Sequence, residues 1–408
     1  MFSGDCDNGS ITVKKGVTGV TIVLNGLTLT NDDSAAITLN KTAEASLIAA
    51  AGTTNTVADT EGPSDENAAI KVKSGAALAI GGTGTLTVDG NAKNGIKGAA
   101  DAVITIAEVK LNINAADDGL SCDDELNITG GTLNITAGGD AVKASPDTGE
   151  NPDTTSLGNV TISGGTLTLN AAEDGIQADG DLTISGGTLT LATGDDGVHA
   201  DNDLVIGTKG ASSTSTPRIN ITASYEGLEG TTVIVYSGDI DVAASDDGVN
   251  AASSTLGERS DKYAINIAGG DLYIDAGSDG LDSNNDISMT GGKVEVYGAD
   301  AMMDAAIDYD GTFTLSGGTL FGAGMEPGAG TQVYIAVGET SPSGGMGGGQ
   351  GMTPPGDTNG TNGNPPTPPT DANGATGTTR PTKPSGGNMN GGQQGGAPAN
   401  RERAIGIK

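Results

Sequence analysis

Apolar and polar residues alternate in short runs along most of this chain, and glycine pairs cut the runs at regular intervals. In LNITGGTLNITAGGDAVKA the apolar positions are Leu126, Ile128, Leu133, Ile135 and Val142, with Gly130 and Gly131 between the first two runs. A period of two predicts half-buried strands, and Gly-Gly predicts a turn. The following segment repeats this with Val160, Ile162, Leu167, Leu169 and Ile176, and the next with Leu182, Ile184, Leu189, Leu191 and Val198. Turns of the same kind at Gly269, Gly291 and Gly317 carry the pattern to at least Leu320. Toward the N-terminus, Ile22, Leu24, Leu27, Leu29 and Ile37, then Leu78, Ile80, Leu86, Val88 and Ile96, keep the alternation.

Three short strands per repeat, stacked many times, describe an all-β parallel β-helix in which each repeat is one coil. We count about twelve coils, a column roughly 55–60 Å long at the spacing of neighbouring strands. The expected organisation is one elongated domain over residues 10–338, with a narrow Leu/Ile/Val core that needs capping at both ends. From 339 to 408 the chain is Gly, Pro, Thr, Asn and Gln with few large apolar side chains, as in NGTNGNPPTPPTDANGATGTTRPTKP. Such a segment cannot bury enough surface to offset its ordering and reads as a disordered tail, a linker or a tether to a cell surface.

A carboxylate recurs in register with this pattern. Asp118, Asp140, Asp174, Asp196, Glu226, Asp247, Asp279 and Asp300 are each followed by Gly or Ala and then an apolar residue. Their spacing is 21 or 22 residues, or 30 to 34 where a loop intervenes. Equivalent residues of a parallel solenoid stack one strand spacing apart, so the acids form a column of like charges about 5 Å apart. Each neighbouring pair repels by ~1 kcal/mol in water and ~4 kcal/mol at an effective dielectric near 20. Summed over the column this rivals the stability of a domain, about 5–15 kcal/mol. Either the column is partly protonated or cations sit in it.

The surroundings favour cations. A second acidic set follows five residues later with its own spacing of two: Asp123 and Glu125, Asp179 and Asp181, Asp201 and Asp203, and Asn284 with Asp286. Spacing of two predicts both side chains on one strand face. Oxygen donors at this density, with one His and two Cys in the chain, select Ca²⁺ over a transition metal, and over Mg²⁺ with its tighter octahedron. Glu229 and Asp282, together with Asp117, Glu173, Asp195 and Asp246, supply further candidate oxygens. Single Asp-Gly pairs also occur in plain turns, because Asp bonds its own backbone there.

Charge narrows the partners. Nineteen Lys and Arg against 52 Asp and Glu give −33, which excludes nucleic acid as the default partner and disfavours an anionic membrane. Aromatics are scarce, with no Trp, so flat platforms for neutral sugars are few, with Tyr225, Tyr236, Tyr263, Tyr273 and Tyr297 as candidates. Lys71, Lys73, Lys93, Lys97 and Lys110 cluster in the early coils and could contact an acidic ligand. No stretch of 18 apolar residues exists to span a membrane. The start, MFSGDCDNGS, does not read as a secretory signal, and the abrupt entry into the solenoid suggests an upstream segment. Cys6 and Cys122 form no framework, and His199, being the sole histidine, is expected to build no triad or zinc site and to line the turn edge.

The runs DDGLSCDDELNITGGTLNITAGGDAVKA, EDGIQADGDLTISGGTLTLATGDDGVHADNDL and SYEGLEGTTVIVYSGDIDVAASDDGVNAA resemble the bacterial carbohydrate-binding β-helix family, as do VLNGLTLTNDDSAAITL and NAAIKVKSGAALAIGGTGTLTVDGNAKNGI upstream. The resemblance implies a fold similar to pectate lyases, Ca²⁺ held by acids at the coil turns, and cell-surface or extracellular binding of acidic polysaccharide such as polygalacturonate. Right-handedness is implied by the family and by the usual hand of parallel crossovers. Ca²⁺ ligation would transfer to the ladder acids. Ala141 and Ala301 stand where the pattern has Gly, and Lys143 and Met303 fill slots held elsewhere by Gln177, His199, Glu229, Asn250 or Asp282. Those two coils depart from the family.

The expected function is therefore non-catalytic, Ca²⁺-dependent binding of acidic polysaccharide, with the cation bridging carboxylates on both partners. Two other classes stay open: a Ca²⁺-stiffened structural or adhesive protein, and a polyuronate lyase using Lys143, Arg218 or Arg259 as base. A hydrolase with paired carboxylates is weaker, since paired acids are unavoidable here.

Overall fold

The computed structural model describes residues 1–61, 67–146, 157–211, 216–253, 256, 260–299, 305–326 and 330–337. The tail, Asp300, Met303 and Arg259 lie outside the described residues. Within them the chain is all-β, and each strand pairs in parallel with the strand about three elements on. The exception is Thr319–Glu326, which pairs antiparallel with Gly330–Val337 at the C-terminal end of the column. This is the parallel β-helix that the alternation predicts.

One inward column shows the register. Ile11, Ile37, Ile70, Ile96, Leu120, Val142, Ile176, Val198, Leu228, Val249, Leu281 and Ile307 pair in succession through twelve coils. All but the two terminal members are buried. Period-two alternation sends the flanking residues out, so each coil adds one aliphatic layer from each face to the core. Cys122 joins that core, and burial pushes its thiol up to about 11. Both cysteines are free.

The glycines serve two different purposes. The second Gly of the Gly-Gly turns at 130–131, 164–165, 186–187, 269–270, 291–292 and 317–318 is left-handed, as at Gly131 with φ 95°, where a Cβ would sit 2.7 Å from the carbonyls of Ala107 and Val109. The Gly after a ladder acid is not in that region. It is there for closeness: a Cβ on Gly248 would lie 2.2 Å from Ile274 Cγ2 and 2.7 Å from the Gly280 carbonyl of the next coil. Asp-Gly here marks tight stacking of coils rather than unusual dihedrals.

Candidate functional site

The ladder acids sit just before the short strands of one face and are linked coil to coil. The Asp118 amide donates to Asn94 Oδ1 at 3.2 Å, and Asp118 Oδ1 accepts from the Asp140 amide at 3.2 Å. Asp140 Oδ1 accepts from Asp174 at 2.8 Å, Asp174 Oδ1 from Asp196 at 2.8 Å, and Asp196 Oδ1 from Glu226 at 3.2 Å. The sequence resumes with Asp247 Oδ1 accepting from Asp279 at 2.9 Å, and Asp279 Oδ1 from Ala305. One oxygen of each Asp is thus a structural acceptor for a backbone N–H, and the other remains for chemistry. The longer Glu226 instead accepts from Asn250 Nδ2 at 2.9 Å.

The column is largely buried: Asp140 is 1% and Asp196 3% exposed. Burial pushes the Asp174, Glu226 and Asp247 carboxyls well above the usual range, and neighbouring carboxylates push them further. Asp118 is also raised, by burial above all, although Lys143 counteracts part of the effect.

Three residues beyond each ladder position, one outward position repeats to form a ledge along the solenoid axis. In the coil after Asp279 the ladder position is Ala305 and the ledge residue is Asp308, not the expected Asp300 and Met303, because the insertion shifts the frame by five residues. In register it reads Lys71, Lys97, Ser121, Lys143, Gln177, His199, Glu229, Asn250, Asp282 and Asp308. The side chains change from basic to acidic along one row. Lys143 Nζ meets Asp140 Oδ2 at 2.5 Å, and Lys97 Nζ meets Asp123 Oδ1 at 2.8 Å. His199 Nδ1 faces Asp196 Oδ2 at 3.1 Å and Glu229 Oε2 at 3.0 Å, while Nε2 faces Asp201 Oδ1 at 3.1 Å. Past Glu229, no ion pair between described residues reaches Asp247, Asp282 or Asp308.

The late half of the ledge is accordingly the more strained electrostatically. The Asp282 carboxyl is pushed up to about 7, by burial first and then by Asp308, Asp310 and Asp246. Asn250 is 8% exposed and its Oδ1 has no hydrogen-bond partner. It stands between Glu229 and Asp282 in the row. A buried carbonyl oxygen without a donor is costly unless a cation or water completes it. The donor chemistry of Asp247, Asn250, Asp282 and Asp308 is all hard oxygen and fits Ca²⁺.

The flanking acids behave differently from the expectation. Asp123, Asp179 and Asp201 face the ledge: Asp179 accepts from Ser145 Oγ at 2.7 Å, and the other two take Lys97 and His199. Their partners two residues on do not share their face. The chain bends at 123–124 and 179–180, and although Asp201 and Asp203 lie in one strand, Val198–Ile206, its register shifts between Ala200 and Asp203. Glu125, Asp181 and Asp203 therefore open the next face, where Asp181 Oδ1 accepts from the Asp203 amide at 3.4 Å. Alternation holds only while the strand is unbroken.

The early lysines also divide. Lys71 and Lys97 share the ledge, Lys93 pairs with Asp117 in a turn at 3.0 Å, and Lys110 lies on another face in register with Thr132. Asn94, the first rung of the ladder, was legible as Asn-Gly-Ile in the same frame, and Asn250 by its spacing from Asp247; Asp308 had only its register to mark it.

A family model described as carbohydrate-binding domain-containing protein matches residues 1–258 and 196–321. No curated protein matches the chain. Among solved structures the chain is similar to a polysaccharide lyase-like protein from C. thermocellum, in its gadolinium derivative. Identity is 28%, 55% of this chain and 85% of that chain are covered, and the TM-score is 0.44.

Proposed function

The chain belongs to the carbohydrate-binding domain-containing protein family, and from that premise we propose that it binds acidic polysaccharide of the polygalacturonate type through Ca²⁺, without cleaving it. The observation that carries this reading is the late ledge, where the buried Asn250 carbonyl lies in register with Asp282, and where among the described residues no cationic side chain pairs with Asp247, Asp282 or Asp308. A divalent ion there would neutralise the protein carboxylates and keep positions open for a sugar carboxylate. A surface of net charge −33 needs such a bridge to hold a polyanion.

The ledge suits a linear partner, because its rungs repeat at the strand spacing of about 5 Å along the axis. Lys71 and Lys97 would add direct contacts to uronate at the early end. For a lyase, Lys143 is a poor base. Burial, the largest single influence, would lower its ammonium, but Asp140 together with Asp118 and Glu173 outweighs burial and holds the proton more tightly. Arg218 pairs with Asp239 at 2.8 Å, in a strand in register with Thr188 on another face. Display at the cell surface, with the tail as a tether, completes the proposal.

The test is retention of the protein on polygalacturonate in Ca²⁺ and in EDTA, with ultraviolet absorbance followed for unsaturated products. Retention in Ca²⁺ alone, without new absorbance, is expected. Growth of absorbance would replace this reading with a lyase, and no retention in either buffer would replace it with a Ca²⁺-stiffened structural protein.

A further inference from the structure

His199 changes the donor chemistry of its own coil. Two carboxylate oxygens, Asp196 Oδ2 at 3.1 Å and Glu229 Oε2 at 3.0 Å, converge on its Nδ1. A ring nitrogen carries at most one proton, so it serves one of these acceptors well and the other poorly. Asp174 places a donor within 4.8 Å of those of Asp196 and His199, and Glu226 does so with Asp196 and Glu229. Asp174 and Asp196 are buried and His199, Glu226 and Glu229 half-buried, and the set differs from the all-oxygen rungs further along by one imidazole nitrogen.

That nitrogen matters for metal choice. Ca²⁺ takes oxygen ligands, whereas imidazole favours Zn²⁺ and its neighbours in the first transition row. Ligand atoms bound at about 2.0–2.1 Å in a tetrahedral zinc site lie about 3.3 Å apart, and the observed N···O separations of 3.0 and 3.1 Å come close to that without rearrangement. Against the expectation that a lone histidine builds no zinc site, we propose that Asp196, His199 and Glu229, with Asp174 or Glu226 as the fourth group, form a site for a Zn²⁺-class ion, separate in metal chemistry from the oxygen rungs of the late ledge. The ion would displace the imidazole proton and satisfy both converging carboxylates at once. The proposal does not depend on sugar binding.

The test uses the full chain without a histidine tag, carrying Cys6→Ser so that the exposed thiol cannot take up zinc. After chelation and dialysis against Zn²⁺ in an excess of Ca²⁺, one equivalent of Zn²⁺ per chain is expected. His199→Gln should lose that equivalent and keep its Ca²⁺. Glutamine fits this place, since Gln177 fills the same row position one coil earlier. Because the chain has one histidine, its ring nitrogens can be read directly by long-range proton–nitrogen correlation. The Nδ1 resonance should move on adding Zn²⁺ and stay in place on adding Ca²⁺. An imidazole spectrum unchanged by Zn²⁺, or equal zinc content in His199→Gln, would overturn the proposal.

Discussion

The early and late halves of the ledge share one backbone and one ladder, and they differ in the ledge residues. The early half carries Lys97 and Lys143 on either side of Ser121, and each cation reaches a carboxylate 2.5 to 2.8 Å away. The late half carries Asn250, Asp282 and Asp308, which add oxygen instead of positive charge. The same architecture therefore supplies its own cations at one end and, among the described residues, none at the other, with His199 at the junction. A buried like-charge column is tolerable in a solenoid only where each rung has a counter-charge or keeps its proton.

The largest effect should come from removing a built-in cation. Lys143→Met leaves Asp140, 1% exposed, with an unpaired buried charge and is expected to cost about 3–5 kcal/mol in urea melts in EDTA. If the halves are equivalent apart from their cations, Ca²⁺ should restore part of that loss. Chelation of the native protein is expected to cost about 2.7 kcal/mol for each site that was held at a hundredfold excess over its dissociation constant. Hydrogen exchange should then accelerate in Val249–Ala251, Leu281–Ser283 and Ile307–Tyr309 and not in Asn94–Gly98 or Leu120–Cys122.

pH sharpens the same contrast. With Asp282 pushed up to about 7, the folded protein keeps a proton that the unfolded chain releases near its ordinary value of about 4. Stability without Ca²⁺ should therefore fall as pH rises between about 4 and 7 and level off above, since the folded state binds more protons in that window. Melting temperatures measured across it in EDTA should show the slope, and saturating Ca²⁺ should flatten it.

Asp282→Lys imposes the early chemistry on the late half. It should raise stability in EDTA by about 1.5–3 kcal/mol, the value of a charge-assisted hydrogen bond, and reduce bound Ca²⁺ measured by equilibrium dialysis. Lys93→Ala removes a pair whose side chains are 52% and 37% exposed, and should change stability by less than about 1 kcal/mol. An effect as large as that of Lys143→Met would show that burial does not separate the two kinds of pair.

Much of the solenoid could be read from single coils. Alternation in Leu126, Ile128, Leu133 and Ile135 specifies which side chains enter the core, and Gly130–Gly131 specifies where the chain turns, because both depend on neighbours in sequence. The recurrence of Asp118, Asp140 and Asp174 likewise follows from a repeat, and the ladder of hydrogen bonds confirms their common frame. Spacing alone failed at Asp123 and Glu125, where the strand breaks between them. Only the tertiary structure decided which charges meet. The partner of a ladder oxygen belongs to a coil 22 or 34 residues away, as the amide donors to Asp118 and Asp140 do, and the effect of that meeting on a proton or an ion depends on burial, a property of the stacked column and not of any single repeat.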